Sequence, residues 1–187
     1  MSVRAGREFL AIPGPTTVPD EVLRMLPANG GVVMVNFYPG FIDKNVIEAG
    51  KARDQRLKPQ LDQLKETFKD DPKQLEIETN KLQATIPLPT TPLSVLIDHF
   101  DHIVKIAGID HVGLGSDFDG IPSVPIGMED ISKLPNITYE LLKRGYSEKD
   151  VRKVLGENFM RAFAEVERVA RASRLSGDGN VRRLTAQ

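Results

Sequence analysis

The sequence contains no cysteine, which excludes disulfides and thiolate metal sites. It also lacks net charge of either sign. Twenty-five Lys plus Arg against 26 Asp plus Glu leave −1, giving no electrostatic case for a nucleic acid or an anionic membrane surface. No apolar run approaches the roughly 20 residues that span a bilayer. At the amino end the run "FLAI" stops at Pro13-Gly14-Pro15 and is too short for a signal-peptide core. The closing stretch "SRLSGDGNVRRLTAQ" carries no lipid-anchor signal. There is no Gly-rich phosphate loop after a strand, no Ser nucleophile elbow and no His-Glu-x-x-His. The expectation is a soluble, cytoplasmic protein without a nucleic-acid or membrane partner. At 187 residues the chain is one domain or a large piece of one.

What is present reads as α/β. Residues 13–17, "PGPTT", form a rigid turn, and Pro19-Asp20-Glu21 opens a short helix through about Leu26, stopped by Asn29-Gly30-Gly31. "VVMVNF" (32–37) is an apolar, β-branched run without alternation, the pattern of a strand buried on both faces of a helix-covered parallel sheet. Pro39-Gly40 ends it. From Val46 to Ala84 the chain is charged and helical, and Leu57, Leu61, Leu64 and Phe68 form one apolar stripe. Pro59 and Asp71-Pro72 predict interruptions, hence two helices with a solvated charged face. After the proline-rich connector 86–93, a helix over 93–107 turns Leu96, Phe100, Ile103, Val104 and Ala107 to a core, and "HVGLGS" is the second buried strand. A helix near 138–144, a capping box at Ser147–Asp150 and a last helix over roughly 157–172 complete the chain, with a disordered tail over 173–187. Strands separated by helices imply a parallel sheet, yet two strands are too few to make a viable one.

Asp117 follows the second strand at its carboxyl end, where α/β folds gather functional residues. Gly113 and Gly115, on one face of that strand, predict open space in front of it. A carboxylate there suits orienting a substrate ammonium, holding a metal-bound water or acting as general base; a turn aspartate bonding its own backbone is the plainer alternative. Asp119 invites the same two readings, and Asp117-x-Asp119-Gly120 is a fragment of a calcium loop without its remaining ligands. Asn36 ends the first strand on the same side, either lining a site or satisfying loop backbone. His99 and His102 lie three apart on one helix among carboxylates, a spacing open to adventitious zinc or to solvated and capping roles. His111 begins the second strand. Six residues at about 3.3 Å each put it roughly 20 Å from Asp117, too far to share a metal.

Three stretches, "GGVVMVNFYPGF", "DHVGLGSDFDG" and "LPNITYELLKRGYSEKDVRKVLGENFMRAF", together resemble the C-terminal part of the membrane dipeptidase family, also called renal dipeptidase-like or peptidase family M19. The resemblance runs in order from about Val18 to about Val169. It implies a (β/α)8 barrel that hydrolyses dipeptides with two zinc ions and a bridging hydroxide. Residues 32–37 would be barrel strand seven and 111–117 strand eight, so the fold class expected is a C-terminal barrel fragment. Asp117 would engage the substrate amino group and assist proton transfer, with Asn36 beside it as a substrate-binding residue.

The family's zinc ligands, a His-x-Asp on strand one, a glutamate after strand three and histidines on strands five and six, all precede the matching segment. No His-x-Asp occurs in this chain, and none of its three histidines stands at a ligand position. The resemblance therefore implies a dipeptidase-family chain, 18–172 being barrel-derived and 1–17 not, that binds no zinc and is inactive alone. "GREFLAIPGPTTVPDEVLRM" resembles instead the amino terminus of class V aminotransferases of the alanine/serine–glyoxylate type, which use pyridoxal phosphate; nothing after Met25 continues that likeness. A fused, truncated or chimeric chain accounts for both. A non-catalytic alternative also follows from the residues: two barrel strands leave unpaired edges, inviting a homo-oligomer or a completing partner.

Overall fold

The computed structural model describes residues 18–175. The turn expected over 13–17 and the tail beyond Leu175 lie outside the described residues. Along the chain run α1 (Asp20–Leu23), α2 (Leu26–Asn29), β1 (Val33–Asn36), α3 (Pro39–Ile42), α4 (Lys44–Thr67) and α5 (Pro72–Ala84). They are followed by α6 (Leu93–Ala107), β2 (Val112–Ser116), α7 (Pro135–Lys143), α8 (Glu148–Arg152) and α9 (Asn158–Leu175). These elements form two compact units, one containing Asn36–Leu96 and Asp117–Asn136, the other Asp20–Val35, Ile97–Ser116 and the chain from Ile137 onward. The fold is α/β, mostly helical with a small parallel sheet. No described helix is long and apolar enough to cross a membrane.

The first unit is dominated by the α4–α5 hairpin. Asp43 caps α4 by accepting from the Asn45 N–H at 2.9 Å, and its other oxygen accepts the buried Thr91 hydroxyl at 2.8 Å. One carboxylate thus starts a helix and ties it to the connector that precedes α6. The expected stripe forms: Leu57 is buried, and Leu61, Leu64 and Phe68 are half-buried. Two helices are found, divided at Asp71-Pro72, where Asp71 accepts from the Gln74 N–H at 3.0 Å. Pro59, however, does not interrupt α4. It lies on the exposed face, so the carbonyl one turn back, which it deprives of a donor, has water to bond instead. The charged side chains pair locally on the outer surface, as in Lys44–Glu48 and Lys65–Asp62.

The second unit holds the sheet. β1 and β2 are neighbours in a two-stranded sheet, with no further strand among the described residues. β1 was expected to be buried on both faces; only Val35 is buried, and Met34 is 41% exposed. Continuous burial needs cover on both faces, and the Met34 face has none. Gly113 and Gly115 leave no open space either. A Cβ at Gly115 would lie 2.8 Å from the carbonyl oxygens of both Met34 and Val35, and one at Gly113 would lie 2.8 Å from Met34 Sδ. These glycines admit β1, not a ligand.

Helix α6 buries Leu96, Ile97, Phe100, Ile103 and Ala107; Ile97 is buried in addition to the expected positions, and Val104 is only half-buried. It ends at Gly108, whose φ of 92° is left-handed backbone that favours glycine. A 3-10 turn over Ile109–His111 follows, so β2 starts one residue later than expected, at Val112. Asn158, 2% exposed, donates through Nδ2 to the carbonyls of Ile109 at 2.7 Å and Val112 at 2.9 Å. Arg161 reaches the carbonyls of Gly30 at 2.9 Å and Asp110 at 2.8 Å. The capping box forms as read: Ser147 Oγ accepts from the Asp150 N–H at 3.2 Å. The chain kinks at Gly156 before α9, which runs on to Leu175, past the expected end at 172. Elsewhere in this unit Arg144 pairs with Asp98 and Asp101, and Tyr146 donates to Asp101 at 2.7 Å. Burial first, then that hydrogen bond, push the Tyr146 phenol up.

Replacing Asn158 with Ala leaves buried carbonyls without a donor, and should lower stability by about 1–3 kcal/mol in urea unfolding. A second expectation concerns pH. The Lys153 ammonium, 2.6 Å from Asp110, holds that carboxyl below its ordinary value. A lowered folded-state value contributes stability above the unfolded value of about 3.9 and loses it as pH falls through the folded one. Asp110→Asn should therefore lower the unfolding midpoint at pH 7, the difference shrinking below about pH 4.

Candidate functional site

The first unit brings Asn36 and Asp117 together. Asn36 is the last residue of β1, and Asp117 directly follows β2. Ser116 and Asp117 both take positive φ, 48° and 80°. Left-handed backbone is uncommon for side-chain-bearing residues, with aspartate among the better tolerated. Two such residues in succession turn the chain away from the strand direction. The turn then closes through the Gly120 N–H, which donates to the Asp117 carbonyl at 3.0 Å.

Asn36 Nδ2 donates to Asp117 Oδ2 at 2.8 Å, while Asn36 Oδ1 accepts from the Tyr38 N–H at 2.8 Å. Those two bonds fix the amide orientation, because the opposite one would set acceptor against acceptor and donor against donor. Asn36 thus satisfies loop backbone, and its amide also donates to the exposed Asp117 carboxylate. Beside this pair, Phe37 is fully buried and meets the Phe118 ring edge-on, centroids 5.8 Å apart at 84°. Each aromatic follows one of the two polar residues, so the apolar side chains pack while the amide and carboxylate are left at the surface. Asp119 is exposed. The Asp117 side chain bonds Asn36, and it is the backbone carbonyl of Asp117, not its carboxylate, that closes the turn.

The histidines are elsewhere and separate. His102 Nε2 lies 2.9 Å from Asp20 Oδ1. The His111 ring donates from Nδ1 to the Gly31 carbonyl at 2.7 Å, tying the start of β2 to the chain entering β1. All three histidines of the sequence, His99, His102 and His111, fall within the described residues. Among those residues no group of three or more His, Cys, Asp or Glu side chains could hold a metal ion. The donor set does not fit a two-zinc centre. A groove along α4 and α5, lined by Gln60, Gln63, Glu78 and Lys81 among others, contains none of the candidate site residues. Sequence reading missed Ser116, whose backbone aims the turn, and gave Gly120 a part only in a calcium-loop fragment; an Asp-Gly pair after a strand was the available signal.

The sequence profile of the membrane dipeptidase family (peptidase family M19) matches residues 10–177. Most of the segment resembling an aminotransferase amino terminus falls inside that match. The dipeptidase tcpJ of Claviceps purpurea (strain 20.1) is 33% identical over 162 residues, covering 87% of this chain. The chain spans 28% of that relative's length. Among solved structures, the probable dipeptidase PvdM from Pseudomonas aeruginosa is similar with a TM-score of 0.61 and 30% identity, over 81% of this chain and 41% of that one. A match of this extent makes the chain a member of the membrane dipeptidase family, peptidase family M19.

Proposed function

We propose that residues 18–172 are the part of a (β/α)8 dipeptidase barrel that carries strands seven and eight. In this reading Asp117 is the carboxylate that receives the free amino group of a dipeptide, and the chain alone has no hydrolytic centre. The observation that carries it is the Asp117 carboxylate held at the exposed end of β2 by Asn36 Nδ2 at 2.8 Å. An anchored carboxylate in that place accepts charge-assisted hydrogen bonds from an ammonium group, and exchanges a proton with an adjacent reacting group when one is supplied. Asn36 contributes its second amide hydrogen to a substrate carbonyl. Family membership supports a dipeptide as substrate and zinc as the family's metal. The described residues of this chain offer no ligand group for it.

A second reading has support in α9. Phe159, Met160, Phe163, Val166 and Val169 are 40–61% exposed, and Phe159 and Phe163 stack with centroids 6.1 Å apart. An uncovered apolar face of this kind favours a non-catalytic chain that self-associates.

Purified chain, given zinc and dialysed, should retain less than one equivalent of metal and hydrolyse no unmodified dipeptide above the protein-free control. Stoichiometric zinc with hydrolysis lost in Asp117→Ala would overturn the proposal. Size-exclusion chromography with light scattering tests the second reading: self-association should weaken in Phe163→Glu, whereas a monomer across the concentration range rejects it.

A further inference from the structure

Gly120 is a glycine that its backbone does not require. The glycines with left-handed φ are Gly30, Gly108, Gly127 and Gly145, and Gly120 is not among them. What stands in the way of a side chain there is the carboxylate of Asp117. A Cβ at position 120 would lie 2.6 Å from Asp117 Oδ1, 3.3 Å from its Cγ and 3.5 Å from its Oδ2. The first distance is well inside van der Waals contact, so either the carboxylate or the turn would have to move. The turn is closed by the Gly120 N–H on the Asp117 carbonyl, and Oδ2 is anchored on Asn36, itself fixed by the Tyr38 N–H. Neither gives way without losing a hydrogen bond.

We propose that Asn36 and Gly120 are positioning residues that fold the Asp117 carboxylate back over its own turn, with Oδ2 engaged by the Asn36 amide and Oδ1 presented above the bare Gly120 backbone to a protonated amine. The assignment of the amine rests on the reading of Asp117 given above; the two-sided clamp does not. Asn36 acts on the carboxylate by a directed hydrogen bond, which selects one oxygen. Gly120 acts by absence, since any side chain would occupy the space that Oδ1 fills. The two together turn a symmetric, rotatable carboxylate into one with a distinct outward oxygen.

The test uses the full chain, with the Asn36 side-chain amide resonances followed by nitrogen-15 NMR and thermal unfolding measured in a double-mutant cycle. Asp117→Ala should move the Asn36 amide resonances by removing their acceptor, and Gly120→Ala should move them in the same direction. Gly120→Ala should also lower the unfolding midpoint by about 2–4 °C or more. In the Asp117→Ala background the same change should cost nothing, because the space is vacated. If Gly120→Ala alone does not fold, the Gly120→Ala/Asp117→Ala pair should restore folding. An unmoved Asn36 amide in Gly120→Ala, or an equal loss of stability in both backgrounds, overturns the proposal. No metal or dipeptide enters these measurements, so their failure is distinct from a failure of the dipeptidase reading.

Discussion

The amino ends of the two strands are held by side chains more than by a sheet. A two-stranded parallel ladder leaves most of its backbone groups without strand partners, and buried carbonyls without donors are costly. Asn158 answers this for Ile109 and Val112 and His111 for Gly31, while Arg161 bonds the exposed carbonyls of Gly30 and Asp110. Two of these come from the first turn of α9, which gives that helix its place against the strands. These bonds hold the start of β2 against α9 and against the chain entering β1.

At the carboxyl ends the problem is different. There the aromatic residues Phe37 and Phe118 pack against each other, and the polar residue before each is directed outward. At Asn36 the alternation of side chains along extended backbone produces this; at Asp117 the left-handed backbone of Ser116 and Asp117 does. The amide and the carboxylate then meet because each ends its own strand run, not because they are close in sequence. A carboxylate assembled from separate segments, with its partner's orientation fixed by a backbone N–H, is a more specific object than an aspartate in an isolated turn.

Much of this was legible in the residues. The Leu57–Phe68 stripe, the α6 core face, the Ser147 capping box and the placement of Asn36 and Asp117 all follow from spacing and turn chemistry, and the family resemblance from three quoted stretches. Other features were not legible, for physical reasons. An unalternating run such as "VVMVNF" implies two covered faces, but cover belongs to whatever packs above it, and Met34 is uncovered. A glycine marks close approach without saying what approaches; for Gly115 it is the β1 backbone, for Gly120 a carboxylate. Pro59 costs α4 a hydrogen bond and crowds the carbonyl one turn back, but on its exposed face that carbonyl has water to bond and the helix continues. Positive φ at Ser116 has no residue-level signature at all.

The two units are interleaved along the chain, which passes from one to the other at Pro19–Asp20, Val35–Asn36, Leu96–Ile97, Ser116–Asp117 and Asn136–Ile137. Neither is a contiguous stretch of sequence. Their defining contacts join distant positions, with 81 residues separating Asn36 from Asp117 and 131 separating Gly30 from Arg161. Closing such loops precedes any gain from the contacts they make, so folding of this chain is governed by long-range encounters and is slow relative to its helix content. Neither unit can be released by a single cut, and a nascent chain cannot complete the first one until the turn after β2 has been synthesised.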